Sequence, residues 1–568
     1  MHIKNHNLGM VAGNHALRFG VELRWEQDNS SLVGGSRPLY VFDGLFNLAN
    51  SAPVFESIDA NPQTGGPATA QRYFRTPYYG VFVQDDWKVR PNFTLNLGLR
   101  WEYFSPPYQN GATLSNIAFG SNGLANSHLV QVNHLYNSDF NNFAPRLGFA
   151  WSPHTTSNFV VRGGFGIFYN RIPEVLFANA LANPPNFARY GVCCGTAATP
   201  FVNGQIVYTL GSSNSPFSYP ANPGLAQGIN PATGAPSAAA VEIWGAQANT
   251  PNPMVYVFSL DAEYKLPGKI VADLGYSGSA GHHLIRLVNQ NFLYPNNLSN
   301  PNNGAAFSAV YIPQPDDNSD FNAGILTLRR QFDHGFLFAF NYRWSKSLDN
   351  SSYEGPGFAT NQTFPQNNHS EWGPSDFDVT HIYTFSAVYE VPGSHRHNGL
   401  WRALVGGWEL SPIISWHTGF PWTPVIGQSV QTPGGPSLSP IRPTVYFGGA
   451  GHSESNLAYM TGLNFINGGP AYFNTTASGP PGIGRNSWRG PHFFQTDMSF
   501  AKNIRFPFFF RESANMELRA NFFNIFNQLN LQPLGFSGGG THPDQPFFGV
   551  SPGALAGRVV ELQARFSF

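Results

Sequence analysis

The sequence is poor in charge: only 11% of its 568 residues are Asp, Glu, Lys or Arg, against roughly 25% in an ordinary soluble domain. A net charge of −1 removes any bulk attraction to nucleic acid or to an anionic surface. Cysteine is nearly absent. The two present, Cys193 and Cys194, are adjacent, and neighbouring cysteines bridge only with strain. Without a CxxC pair, zinc and thioredoxin-like readings fail. No run of about 18 apolar residues occurs, which excludes a visible transmembrane helix. Catalytic signatures are missing too, with no GxSxG, HExxH or P-loop. "GYSGSAG", around Ser277, lacks the last glycine of a nucleophile elbow. The expectation is a non-enzyme without a cofactor. The opening "MHIKNHNLGM" has no apolar h-region of a signal peptide. For an exported protein this reads as the later part of something longer, or as a misassigned start.

Aromatic residues, by contrast, reach 15%, with 50 Phe, and Gly and Pro number 60 and 46. Low charge with many rings suggests a membrane, and without helices the remaining way across a bilayer is a closed β-barrel. A period-two pattern recurs about fourteen times, from residues 16–27 to 558–568. Most segments run about 10 to 13 residues, longer than the roughly 5 or 6 of soluble strands and near the 9–11 of a tilted spanning strand. In "FTLNLGLRWEYF", Phe93, Leu95, Leu97, Leu99, Trp101 and Tyr103 share one face. In "FLFAFNYRWSKS", Phe336, Phe338, Phe340, Tyr342 and Trp344 do so. Tyr and Trp fall at one end of each apolar face, where a headgroup belt holds amphipathic rings.

Short connections such as "PN" at 91–92 and "HG" at 334–335 alternate with long ones such as 105–142, 282–323 and 420–490. Outer-membrane barrels have short periplasmic turns and long extracellular loops. The predicted fold is an all-β, transmembrane, antiparallel up-and-down β-barrel occupying residues 1–568. An even strand count would put both chain ends on the periplasmic side.

The last strand, "VVELQARFSF", alternates Val560, Leu562, Phe566 and Phe568 with polar residues. It resembles the β-signal recognised by the outer-membrane assembly machinery. The plainer reading is an ordinary edge strand, although soluble proteins usually guard such edges. Several stretches, among them "YGVFVQDDWKVRPNFTLNLGLRWEYFSPP" (79–107), "GPSDFDVTHIYTFSAVYEVP" (373–392), "GRNSWRGPHFFQTDMSFAKN" (484–503) and "MELRANFFNIFNQLN" (516–530), resemble TonB-dependent receptors of the Oar-like type. The resemblance runs through essentially the whole chain. It implies a 22-stranded barrel filled by a plug, preceded by a signal peptide, a small regulatory β-sandwich and a TonB box. None of these preceding parts is recognisable, so the chain reads as the C-terminal portion of a longer receptor, and TonB as a partner only where the plug is present.

Other candidate sites have plain alternatives. Asp376 and Asp378, and Asp316, Asp317 and Asp320, offer oxygens suited to Ca²⁺, but their spacing is not that of an EF-hand and solvated loop carboxylates are the simpler reading. His395 with His397, and His282 with His283, are read as scattered surface histidines before metal ligands. Trp372, Trp422, Tyr472 and Trp488 either stack on sugar rings or pack loops together. The expected function is uptake of a bulky nutrient, such as an oligosaccharide, a peptide or an iron chelate, across the cell outer membrane of a Gram-negative-type bacterium. The alternative is a passive porin-like or surface-structural barrel. Expected partners are outer-membrane lipids, the assembly machinery and an unidentified nutrient, with no nucleic acid.

Overall fold

The structure, a computed structural model, describes residues 2–31, 39–60, 71–110, 114–120, 123–153, 158–174, 176–177, 180, 183, 188–193, 241–290, 307–352, 367–391, 406–426, 430–431, 437–438, 442–445, 473–474, 481–508, 512–534, 540–543 and 548–567. Fifteen long strands dominate it. They are β1 (His2–Ala12), β2 (His15–Ser31), β3 (Gln71–Arg90), β4 (Phe93–Phe104) and β5 (Asn142–Trp151). Next come β6 (Phe159–Tyr169), β7 (Met254–Leu266), β8 (Ile270–Asn289), β9 (Phe307–Asp333) and β10 (Phe336–Asp349). The last five are β11 (His381–Glu390), β12 (Trp408–His417), β13 (Phe493–Phe508), β14 (Glu512–Phe523) and β15 (Val559–Ser567).

Each strand pairs antiparallel with the next. Three short strands, Tyr108–Gln109, Val241–Trp244 and Gly373–Pro374, bring the sheet to 18. The turn between β9 and β10 shows why the short connections work. His334 and Gly335 both take positive φ, 51° and 76°, the two-residue geometry that matches the twist of a hairpin.

The count corrects two expectations. Among the described residues there are fifteen long strands, not about fourteen, because "HIKNHNLGMVA" is also a strand. The odd number places the start of β1 at the long-loop end, while β15 finishes at the short-turn end. The two outermost strands therefore run in the same direction. No ladder joins them among the described residues, so the sheet is open there.

The pairing register turns the period-two pattern into two chemically distinct faces. Leu328, Phe340, Phe385 and Ile414 form one row across β9 to β12, and the row beside it on the opposite face is Thr327, Asn341, Thr384 and Ser415. The apolar face is not a protein core. Leu99 is 45% exposed, Leu274 64% and Leu562 79%. The buried apolar clusters lie instead at the long-loop end, among the long connections and the adjoining ends of β3 and β8. One combines Phe74, Leu135, Phe177, Trp244, Ile285 and Leu287; another combines Trp422, Phe473, Ile483, Trp488, Leu534 and Phe548.

The long connections are thus more ordered than their Gly/Pro/Asn/Ser composition predicts. Leu114–Gly120 and Gly123–Val132 form a hairpin. Leu39–Val41, Phe55–Ala60 and Ala188–Cys193 form a small sheet beside a one-turn helix, Leu45–Ala49. Residues 282–323 were expected to be a loop, yet β8 and β9 are 20 and 27 residues long. At ~3.3 Å per residue and a tilt of ~40°, β9 climbs well past the ~25 Å apolar band of an outer-membrane barrel. Among the described residues, no helix is long and apolar enough to cross a membrane.

Candidate functional site

Two regions carry the polar chemistry: the wall opposite the apolar face, and a buried shell at the long-loop end. On the wall, Arg100 donates to Glu22 and Glu102 at 2.8 Å each, and Tyr78 donates to Glu102 at 2.7 Å. Arg24 reaches Glu22 at 3.0 Å. Gly80 leaves the space this network needs, because a Cβ there would lie 2.7 Å from Arg100 Nη2. Glu263 stands between Arg162 and Arg329, and Arg519 between Glu409 and Glu517. These part-exposed pairs each add about 1 kcal/mol or less. Their larger effect is to line the face with compensated charge that water or a polar insert can meet.

The loop-end shell is tighter. Arg442 lies 2.8 Å from Glu371, with side chains 2% and 1% exposed. Burial pushes its guanidinium below the ordinary arginine value. Arg485 bonds Asp349 at the end of β10, approaches Asp376 at 3.4 Å and caps the Glu371 carbonyl at 3.0 Å. Arg489 pairs with the buried Asp378. Asn486, in a left-handed conformation at φ 55°, donates to Asp376 at 2.6 Å. "GPSDFDV" and "GRNSWRG" are therefore held together, and the two carboxylates considered for Ca²⁺ are instead engaged by Arg485, Asn486 and Arg489.

Asp316 and Asp317 sit beside Arg286, at 2.6 Å and 3.8 Å. Asp317 is 2% exposed, accepts from Asn368 at 3.0 Å, and has one oxygen without a partner. Burial raises its carboxyl to about 7, against the opposing pull of Asn368 and Arg286. It lies seventeen residues along β9 from the turn at His334, well beyond the ~9–11 residues that cross a bilayer. Asp320 faces Asn322 instead of joining the pair. Among the described residues no group of three or more His, Cys, Asp or Glu is placed to hold a metal.

The remaining sequence candidates separate cleanly. Phe336, Phe338, Phe340, Tyr342 and Trp344 share a face, matched by Tyr389, Ala387, Phe385, Tyr383 and His381 across the ladder. Trp101 and Tyr103 share the face of Val81 and Tyr79, and Tyr103 stacks between Tyr79 and Phe140. Val560, Leu562 and Phe566 align with Phe522, Ala520 and Met516; Phe568 lies outside the described residues, as do Cys194, Tyr472, His395 and His397. Trp422 and Trp488 pair with each other and are 4% exposed, so they pack loops together. Trp372 is half-buried. His282 meets Asn318 at 3.0 Å, and His283 sits in a register break of β8. Ser277 is mid-strand opposite Ser259 and Ala323, not on the strand-to-helix turn of a nucleophile elbow. Sequence reasoning missed Glu371, Arg442, Arg485 and Arg489, whose partners lie too far along the chain to leave a local signal.

Comparison with known proteins agrees with this architecture. A family model described as an outer membrane beta barrel domain matches residues 4–557. No curated protein matches. Similar solved structures include the outer membrane transporter YddB from Escherichia coli, with 10% identity and a TM-score of 0.48, covering 99% of this chain and 54% of that one. The siderophore receptor PirA from Acinetobacter baumannii shows 10% identity and a TM-score of 0.45, covering 100% and 54%. The FrpB iron transporter from Neisseria meningitidis shows 12% and 0.42, covering 98% and 53%. The chain thus spans about half the length of these structures. With its antiparallel ladders, exposed apolar face and charged opposite wall, this chain belongs to the outer membrane beta barrel domain family.

Proposed function

We propose that this chain is the barrel wall of an outer-membrane nutrient transporter of the TonB-dependent receptor type. The observation that carries the reading is the pair of faces: aromatic and aliphatic side chains on one, compensated charge on the other. The first face suits lipid and the second a wet or plugged lumen. Width adds to it. Barrels of eight strands are filled by their own side chains, whereas those of about sixteen or more enclose water. Fifteen strands in an open sheet make part of a wide wall. The packed loop lobes would form the outer mouth, and the cargo classes it would admit are oligosaccharides, peptides and iron chelates. Val560, Leu562, Phe566 and Phe568 are read as the assembly strand, and Trp101, Tyr103, Phe336, Phe338, Phe340, Tyr342 and Trp344 as lipid-facing. TonB acts on this wall only through a plug.

The test is accumulation of each cargo class in a Gram-negative host producing the wall joined to a plug and TonB box, with and without the host's TonB complex. TonB-dependent accumulation of one class supports the reading. Entry of small solutes at equal rates in both hosts assigns a passive pore instead.

A further inference from the structure

The outward face of β1 is unlike that of its neighbours. Its register against β2 pairs His2 with Trp25, Lys4 with Leu23, His6 with Val21 and Leu8 with Phe19. His2, Lys4 and His6 therefore project on the apolar face, and all three are exposed. The same face of β2 and β3 carries Leu17, Phe19, Val21, Leu23, Trp25, Tyr79, Val81 and Val83. Its one acidic residue, Asp85, is at the opposite end, where it meets His15 at 2.6 Å. Arg75, paired across from Gln27, extends the stripe of Lys and His side chains past Trp25.

Depth decides what such a stripe can do. From the turn at Gly13, His6, Lys4 and His2 stand roughly 18, 23 and 28 Å up a strand tilted by ~40°. The apolar band is ~25 Å tall, so Lys4 and His2 reach its outer edge. The rings confirm that level: Lys4 shares a row with Leu23, Tyr79 and Tyr103, and the two tyrosines stack at 5.9 Å. Tyrosines mark the headgroup zone. A lysine on a lipid face is costly at mid-bilayer and nearly free of cost at the interface, where phosphate lies within reach.

We infer that His2, Lys4, His6 and Arg75 form a site on the outside of the wall that binds phosphate groups of outer-leaflet lipid headgroups. Alternate residues on one strand stand ~6.6 Å apart, so Lys4 and His2 can meet phosphates of one diphosphorylated headgroup or of two neighbours, with His6 reaching up toward them from below the edge of the apolar band. The inference rests on the barrel reading, with long loops outward.

The test uses the full chain reconstituted in phosphatidylcholine bilayers, with a diphosphorylated glycolipid and its dephosphorylated form as probes. Insertion is measured in parallel by heat-modifiable mobility. Wild-type chain should retain the diphosphorylated probe through repeated washing, and the triple variant H2A/K4A/H6A should retain it at least about fivefold less, from roughly 1 kcal/mol lost near the surface. Lys346→Ala, on the same face but in β10, should retain it like wild type. Equal retention by the inserted triple variant, equal retention of the dephosphorylated probe, or displacement by millimolar inorganic phosphate overturns the lipid site alone. A wild-type chain that does not insert overturns the barrel reading beneath it.

Discussion

Glu371 and Arg442 meet at 2.8 Å in a pocket where neither side chain reaches solvent, and they come from two different long loops. Such a pair stabilises little relative to an apolar replacement of the same shape, but losing one partner strands the other as a buried charge. Arg442 also donates to the Ser370 carbonyl and, at 3.0 Å, to that of Ile483.

Arg442→Met should therefore destabilise the loop lobe by about 3–5 kcal/mol, and Arg442→Met with Glu371→Leu by clearly less. Limited proteolysis, read together with the fluorescence of the nearby Trp422 and Trp488, measures this. Equal damage in the single and double variants would show that the lobe does not depend on charge compensation.

Asp317 predicts a pH dependence. Arg286, Asp316, Asp349 and Asn368 face it, and burial outweighs the lowering effects of Asn368 and Arg286 to place its carboxyl at about 7, above the ordinary 3.8. The folded state therefore holds this proton more tightly than the unfolded chain does. The stability it contributes is complete below about pH 4 and is lost as pH rises through about 7. Asp317→Asn should remove that slope and leave the protein more stable than wild type above pH 7. Thermal unfolding of both proteins between pH 4 and 8 checks it; parallel curves across that window would contradict the assignment.

The C-terminal strand makes a prediction about assembly. Leu562 and Phe566 are exposed on the apolar face at the edge of the sheet. Replacing both with Ser should reduce the folded fraction reaching the outer membrane several-fold in cells, because an edge strand is what an assembly partner can pair with. Refolding into detergent from urea should fall much less. Equal losses in the two measurements would make this strand an ordinary edge.

Most of the sheet was legible because its signal is local. Phe93 to Tyr103 and Phe336 to Trp344 each declare a face within a dozen residues, and the ladders place those faces together. β1 lacks that signal because His2, Lys4 and His6 occupy its apolar face and break the alternation. The rise of β8 and β9 above the bilayer escaped because Asp316, Asp317 and Asn318 read as loop, although in the fold Arg286 pairs with Asp316, Asn368 donates to one oxygen of Asp317, and the Asn318 N–H donates to Asn350. The loop shell was invisible for another reason. Asp376 and Arg485, or Asp378 and Arg489, look like isolated solvated charges until the chain folds.

In the proposed barrel one face of each long strand meets lipid and the other an aqueous interior. Single arginine substitutions along β10 test it most directly, scored by unfolding free energy in bilayers. Phe338→Arg and Phe340→Arg should cost about 2–4 kcal/mol, while Ala339→Arg and Asn341→Arg should cost about 1 kcal/mol or less. Equal costs at all four positions, or the larger costs at 339 and 341, would contradict the account.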